Sequence, residues 1–150
     1  METFKVQKTK LEAQVAIRGR KVLRGWFFVV PPVYHVPNSR LLLQLLNESH
    51  DYIPLERTKK ILLLNKNQIV YVRMDKEKAE DRDPGILQKE VRVTLPTQQE
   101  LSGTVAVDLP EERRRVLDFL NLNAAFFLLD TRREVYLINK TLIQDVVPLD

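Results

Sequence analysis

The chain has 150 residues, 44% of them hydrophobic and 29% charged, with a net charge of +4. This composition excludes a disordered chain, and the length corresponds to one domain or two small ones. The absence of cysteine excludes disulfides and thiolate metal sites, and no apolar run approaches the roughly 18 residues that a membrane-crossing helix needs.

The opening stretch METFKVQKTKLEAQ has no apolar signal region, so a cytoplasmic location is expected. Residues 3–10 alternate loosely around Phe4 and Val6 and read as an edge strand. Glu12 to Ile17 alternates polar and apolar, as a half-buried strand does. Arg18-Gly19-Arg20-Lys21 is a turn that projects three cations into solvent, and Val22 to Val30 returns as the hairpin partner. Gly25 interrupts that strand and predicts a bulge or sharp bend, of the kind needed to close a small barrel. Trp26-Phe-Phe-Val-Val30 is apolar at every position, which predicts cover on both faces. Trp26, Phe27 and Phe28 are thus candidate interface residues toward the other half of the chain or another subunit; burial under the chain's own 31–38 loop is the alternative.

A short helix follows, with Leu42, Leu45 and Leu46 on one face and Asn38 or Ser39 as its cap. Asn47 ends it, a residue that tolerates the left-handed conformation closing many helices. Asp51 to Leu55 reads as a third strand, a charged turn leads to a fourth at Ile61–Leu64, and Asn65-Lys66 turns the chain into a fifth, Gln68 to Met74. The charged stretch from Asp75 to Gly85 ends in Pro-Gly and reads as an exposed linker.

The second half repeats the first. At an offset of 74 residues, ILLLNKNQIVYV (61–72) falls on VYLINKTLIQDV (135–146), Tyr52 to Leu55 on Phe126 to Leu129, and LLQLLN (42–47) on VLDFLN (116–121). Earlier the offset is 78, with Val15 on Val93, Leu23 on Leu101 and Gly25 on Gly103; the longer 31–38 loop accounts for the difference. Five matches in one order indicate a duplication. The expected organisation is a first unit over 1–74 with a basic N-terminal region, a linker over 75–87 and a second unit over 88–150. The expected fold is mainly β with short helices: two homologous small β-barrels, each β-β-α-β-β-β. Units of about 65 residues are near the limit for an independent core, so the two are expected to pack together.

The basic character belongs to the first unit: residues 1–40 hold eight Lys/Arg against Glu2 and Glu12, whereas residues 89–150 carry a net −2. That asymmetry suits an anionic partner or a solvated basic face. The constellations of catalysis are absent from the sequence. His35 and His50 lie in predicted loops without metal-binding spacing, no Gly-rich phosphate loop exists, and Ser39, Ser49 and Ser102 have no activating neighbours. No catalytic residue, metal or cofactor is therefore assigned.

Val91-Arg-Val-Thr-Leu95, a turn and Leu101-Ser-Gly103-Thr-Val105 resemble the first motif of Sm-like proteins. Val135 to Pro148 is similar to their second motif, including that of the Hfq RNA chaperones. The resemblance implies strongly bent five-stranded barrels of the Sm/SH3-like kind. The chain departs from that family in placing a helix between strands two and three and in lacking the Asp-x-x-Met-Asn segment. The Leu-x-x-Leu-Asn…Asn-Lys-x-x-Ile pattern also resembles an uncharacterised bacterial family, which brings no function with it.

The leading expectation is a non-enzymatic binding or assembly module whose partner is a protein or a second copy. The alternative is RNA or single-stranded nucleic-acid binding through Arg18, Arg20, Lys21 and Arg24, with Asn65 and Lys66 at a groove. Asn65-Lys66 also has a structural reading, as turn residue and sheet-end guard. Trp26, Tyr34 and Tyr52 are the aromatics available for stacking; the match of Tyr52 to Phe126 points instead to a core position.

Overall fold

A computed structural model describes residues 8–77 and 85–149. The first unit comprises β1 (Thr9–Ile17), β2 (Leu23–Val29), α1 (Asn38–Leu46), β3 (Tyr52–Arg57), β4 (Lys60–Asn65) and β5 (Ile69–Asp75). The second comprises β6 (Leu87–Thr94), β7 (Glu100–Val107), α2 (Val116–Leu120), β8 (Phe126–Asp130), β9 (Glu134–Asn139) and β10 (Asp145–Pro148). Phe4 and Val6 of the expected edge strand, and residues 78–84 of the expected linker, lie outside the described residues.

The expected pair of closed barrels is not formed. All ten strands join one open antiparallel sheet in the order β10-β6-β7-β8-β9-β5-β1-β2-β3-β4. The physical reason is the choice of partner for the fifth strand. Closing each unit on itself would need β4 to meet β5 and β9 to meet β10. Instead β5 crosses to the other unit and pairs with β9, Tyr71 opposite Ile138 and Asp75 opposite Glu134. Strands β4 and β10 are left as the two edges of the sheet.

That joint solves the problem of small cores. The first core packs Val15, Phe27, Leu42, Leu46, Leu55 and Val72 together with Phe126, Val135 and Leu137 from the second unit. The second packs Val91, Val93, Val105, Leu129 and Tyr136 with Val70 from the first. Alternate residues of β9 thus enter opposite cores, as strand geometry requires. Each unit borrows apolar area from its neighbour, which compensates for its small size.

Four local expectations are corrected. Gly25 does not mark a bulge: β1 and β2 pair without interruption from Thr9↔Val29 to Val15↔Leu23. It is instead a point of close approach, where a Cβ would lie 2.7 Å from the Glu56 carbonyl oxygen. Strand β2 is not covered on both faces, because Phe27 is fully buried while Trp26 is exposed and Phe28 half-buried. Asn47 does not close α1 in a left-handed conformation (φ −93°), and α1 is entered from Pro37 rather than from an Asn or Ser cap.

Candidate functional site

The strand run Ile61-Leu-Leu-Leu64 and its equivalent Val135-Tyr-Leu-Ile138 are equally apolar, so the same local chemistry makes a strand in each unit. Their surroundings differ. Val135 and Leu137 are fully buried beneath the first unit, whereas Ile61 and Leu63 are 51% and 70% exposed. The neighbouring strand repeats the contrast: Phe126 is 2% exposed and Tyr52, its equivalent, 59%. The expected core position of Tyr52 is thus overturned, because the cover that Phe126 receives from α1 has no counterpart over Tyr52 among the described residues. Tyr52, Ile61 and Leu63 form an apolar face beside an unpaired strand edge.

The buried counterpart of this face shows what the arrangement can hold. Asn47 spans the joint with its side-chain amide: the Phe126 N–H donates to Asn47 Oδ1 at 2.8 Å, and Asn47 Nδ2 donates to the Phe126 carbonyl at 3.1 Å. Asn139, buried, donates from Nδ2 to the Ile69 carbonyl at 3.0 Å and accepts from the Thr141 N–H. Tyr71 and Tyr136 meet edge to face across the joint with ring centroids 5.2 Å apart. Burial, with the nearby Tyr136, raises the pKa of the Tyr71 hydroxyl above its ordinary value. Arg73 pairs with Glu134 and Lys76 with Asp130, each at 2.8 Å.

Lys66 and Lys140 share one structural task. Lys66 is buried, and its ammonium donates to the Glu48 carbonyl just beyond α1. Lys140 donates to the Leu120 carbonyl at 3.0 Å and to that of Leu122. Each lysine thus ties the end of its strand to the backbone where the chain leaves the preceding helix. Asn65 accepts the Asn67 N–H and so holds the turn after β4. The turn that carries them, Lys66–Gln68, adjoins the basic β1–β2 turn, the Arg18 N–H donating to the Gln68 carbonyl at 2.9 Å, but the Lys66 ammonium is directed to Glu48 instead.

Arg18, Arg20 and Lys21 stand exposed on the β1–β2 turn and line a cleft of about 440 Å³ with Tyr71, Leu95 and Pro96. The cleft lies over the joint, between the β1–β2 turn of one unit and the β6–β7 turn of the other. Arg24 is turned to a different surface, 3.7 Å from Glu12. Of the three expected interface residues, Phe27 belongs to the first core, the one that also takes in Phe126, Val135 and Leu137 of the second unit, while Trp26 is exposed and Phe28 half-buried outside it. The residues that build the joint, Asn47 and Asn139 above all, were legible as polar repeat positions but not as partners of groups some 70–79 residues away.

Among the described residues no group of three or more His, Asp or Glu is placed to hold a metal ion, and no helix is long and apolar enough to cross a membrane. Compared with known proteins, the chain matches no protein-family model, no curated protein and no solved structure.

Proposed function

We propose that the protein is a binding and assembly module whose working surface is the β3–β4 edge of the first unit. The observation that carries this reading is the contrast of exposed Tyr52, Ile61 and Leu63 with their buried equivalents Phe126, Val135 and Leu137. An open strand edge flanked by large apolar side chains is costly in water and pairs readily with another strand. Binding rather than catalysis is the role, and no cofactor is called for. The cysteine-free composition suits a reducing compartment, and we place the protein in the cytoplasm. The two-unit plan also keeps the Sm-like kinship as our reading of its ancestry.

The test compares wild-type protein with Leu63→Arg as immobilised baits. The wild type is expected to retain a partner, itself or another protein, that Leu63→Arg loses while its thermal unfolding is unchanged. Equal retention by the two baits would refute the reading.

A second reading rests on the cleft over the joint. Three cations around an apolar floor with one tyrosine suit a single-stranded nucleic acid, phosphates on Arg18, Arg20 and Lys21 and a base on Tyr71. It predicts RNA affinity that falls steeply with salt and is abolished by Arg20→Glu with Lys21→Glu. Binding that survives those substitutions refutes it.

A further inference from the structure

Each unit of the duplication carries both halves of the joint, and the chain uses only one half from each. The used set is Asn47 and Ile69 from the first unit, with Phe126 and Asn139 from the second. In the repeat these correspond to Asn121 and Ile143, and to Tyr52 and Asn65. Asn121 and Ile143 flank β10 at one end of the sheet; Tyr52 and Asn65 flank β4 at the other. The unused halves therefore sit on opposite edges of one molecule.

The cores show the same asymmetry. In the first, Leu46, Ile69 and Val72 are fully buried beneath β8 and β9. Their equivalents in the second, Leu120, Ile143 and Val146, are only half-buried. The second core thus lacks a cover of the kind that the first receives from Phe126, Val135 and Leu137, while the equivalents of those three residues, Tyr52, Ile61 and Leu63, stand exposed.

Building on the edge-docking reading above, we infer that the partner is a second copy of this chain, added head to tail: β10 of one copy pairs antiparallel with β4 of the next. The register follows from the internal joint, in which Tyr71 faces Ile138 and Val72 faces Leu137. Between copies, Asp145 then faces Leu64 and Val146 faces Leu63. Asn121 of one copy clamps the backbone of Tyr52 in the next, Asn65 of the next donates to the Ile143 carbonyl, and Tyr52, Ile61 and Leu63 seal the open side of the second core. The two surfaces differ, so the association is heterologous and either closes as a ring or extends, according to the rotation that each joint imposes.

The joint between copies is weaker than the one within. The ion pair Arg73–Glu134 becomes Val147 and Lys60, and the Tyr71–Tyr136 pair becomes Asp145 and Leu62. Leu149 turns its N–H to the Glu90 carbonyl, so strand alternation directs Pro148 to the free edge, where it offers no donor. Association is thus reversible, dependent on concentration and little affected by salt.

The cysteine-free chain allows a clean test of the register with Leu63→Cys and Val146→Cys. Facing residues of antiparallel strands have Cα atoms about 4.5–5.5 Å apart, within reach of a disulfide. Under mild oxidation an equal mixture of the two single variants should give a cross-linked dimer that neither gives alone. Wild-type mass by sedimentation should rise with concentration, and Asn121→Ala and Leu63→Arg should each weaken that association tenfold or more. Cross-linking of Leu63→Cys with itself to the same extent would overturn head-to-tail pairing. So would a monomer at every concentration up to hundreds of micromolar. In that last case, a different protein retained by the wild-type bait and lost by Leu63→Arg would leave edge docking standing; no such loss would remove both.

Discussion

Replacing Asn47 with alanine deletes both hydrogen bonds that tie the end of α1 to β8. The Phe126 N–H and carbonyl, at 2.8 and 3.1 Å from the amide, would be left without that partner in a partly buried position. An unsatisfied buried backbone group costs about 1–3 kcal/mol. Partial water access puts each of these two near the lower end, for a total of about 2–4 kcal/mol. Against a typical stability of about 5–15 kcal/mol this is a large fraction, and for a chain of this length it corresponds to roughly 4–16 °C in Tm. The control is built into the duplication. Asn121 occupies the same repeat position but is exposed, so Asn121→Ala in dilute protein should cost no more than about 0.5 kcal/mol. Urea unfolding of both variants, followed by circular dichroism, makes the comparison. If the two variants were equally stable, the assignment of Asn47 as a clamp across the joint would be wrong.

Further outcomes follow from the same structure. A Cβ at Gly25 would sit 2.7 Å from the Glu56 carbonyl oxygen, and one at Gly103 would sit 2.6 Å from that of Asp130; each Gly→Ala change should cost about 1–3 kcal/mol in urea unfolding. Lys66→Met keeps the buried stem but removes the ammonium from the Glu48 carbonyl, and should lower stability by about 1–3 kcal/mol in the same assay. Burial raises the Tyr71 pKa, so the folded state holds that proton more tightly than the unfolded chain does. The associated stability is complete below the free tyrosine value of about 10 and is lost as pH rises through the higher folded value. Thermal unfolding between pH 9 and 11 should therefore show a steeper decline for wild type than for Tyr71→Phe.

Much of the architecture was written in the repeat. The offset of 74 residues located α1 and α2, the strands and the Asn-Lys turns, because each rests on local periodicity and turn chemistry. What local chemistry could not contain was the partner of β5. Ile61-Leu-Leu-Leu64 and Val135-Tyr-Leu-Ile138 have the same apolar character, yet one is an edge and the other the centre of a ten-stranded sheet. Their difference lies in a pairing between residues over 60 positions apart in sequence. The same holds for the glycines: Gly25 and Gly103 were visible as exceptions within strands, but the carbonyl each admits comes from a neighbouring strand. Asn47 stood out at the end of its helix, and its role depended on Phe126, 79 residues further on.

Amide hydrogen exchange, resolved along β4 and β9 at low and high protein concentration, distinguishes an edge that docks a second copy from one that stays open. Amides of β9, central in the sheet, should exchange slowly at both concentrations. Amides of Ile61 and Leu63 should exchange rapidly in dilute protein and become protected as concentration rises, together with those near β10. Exchange along β4 that is fast and independent of concentration, or already as slow as β9 in the dilute monomer, would contradict docking of a second copy at that edge.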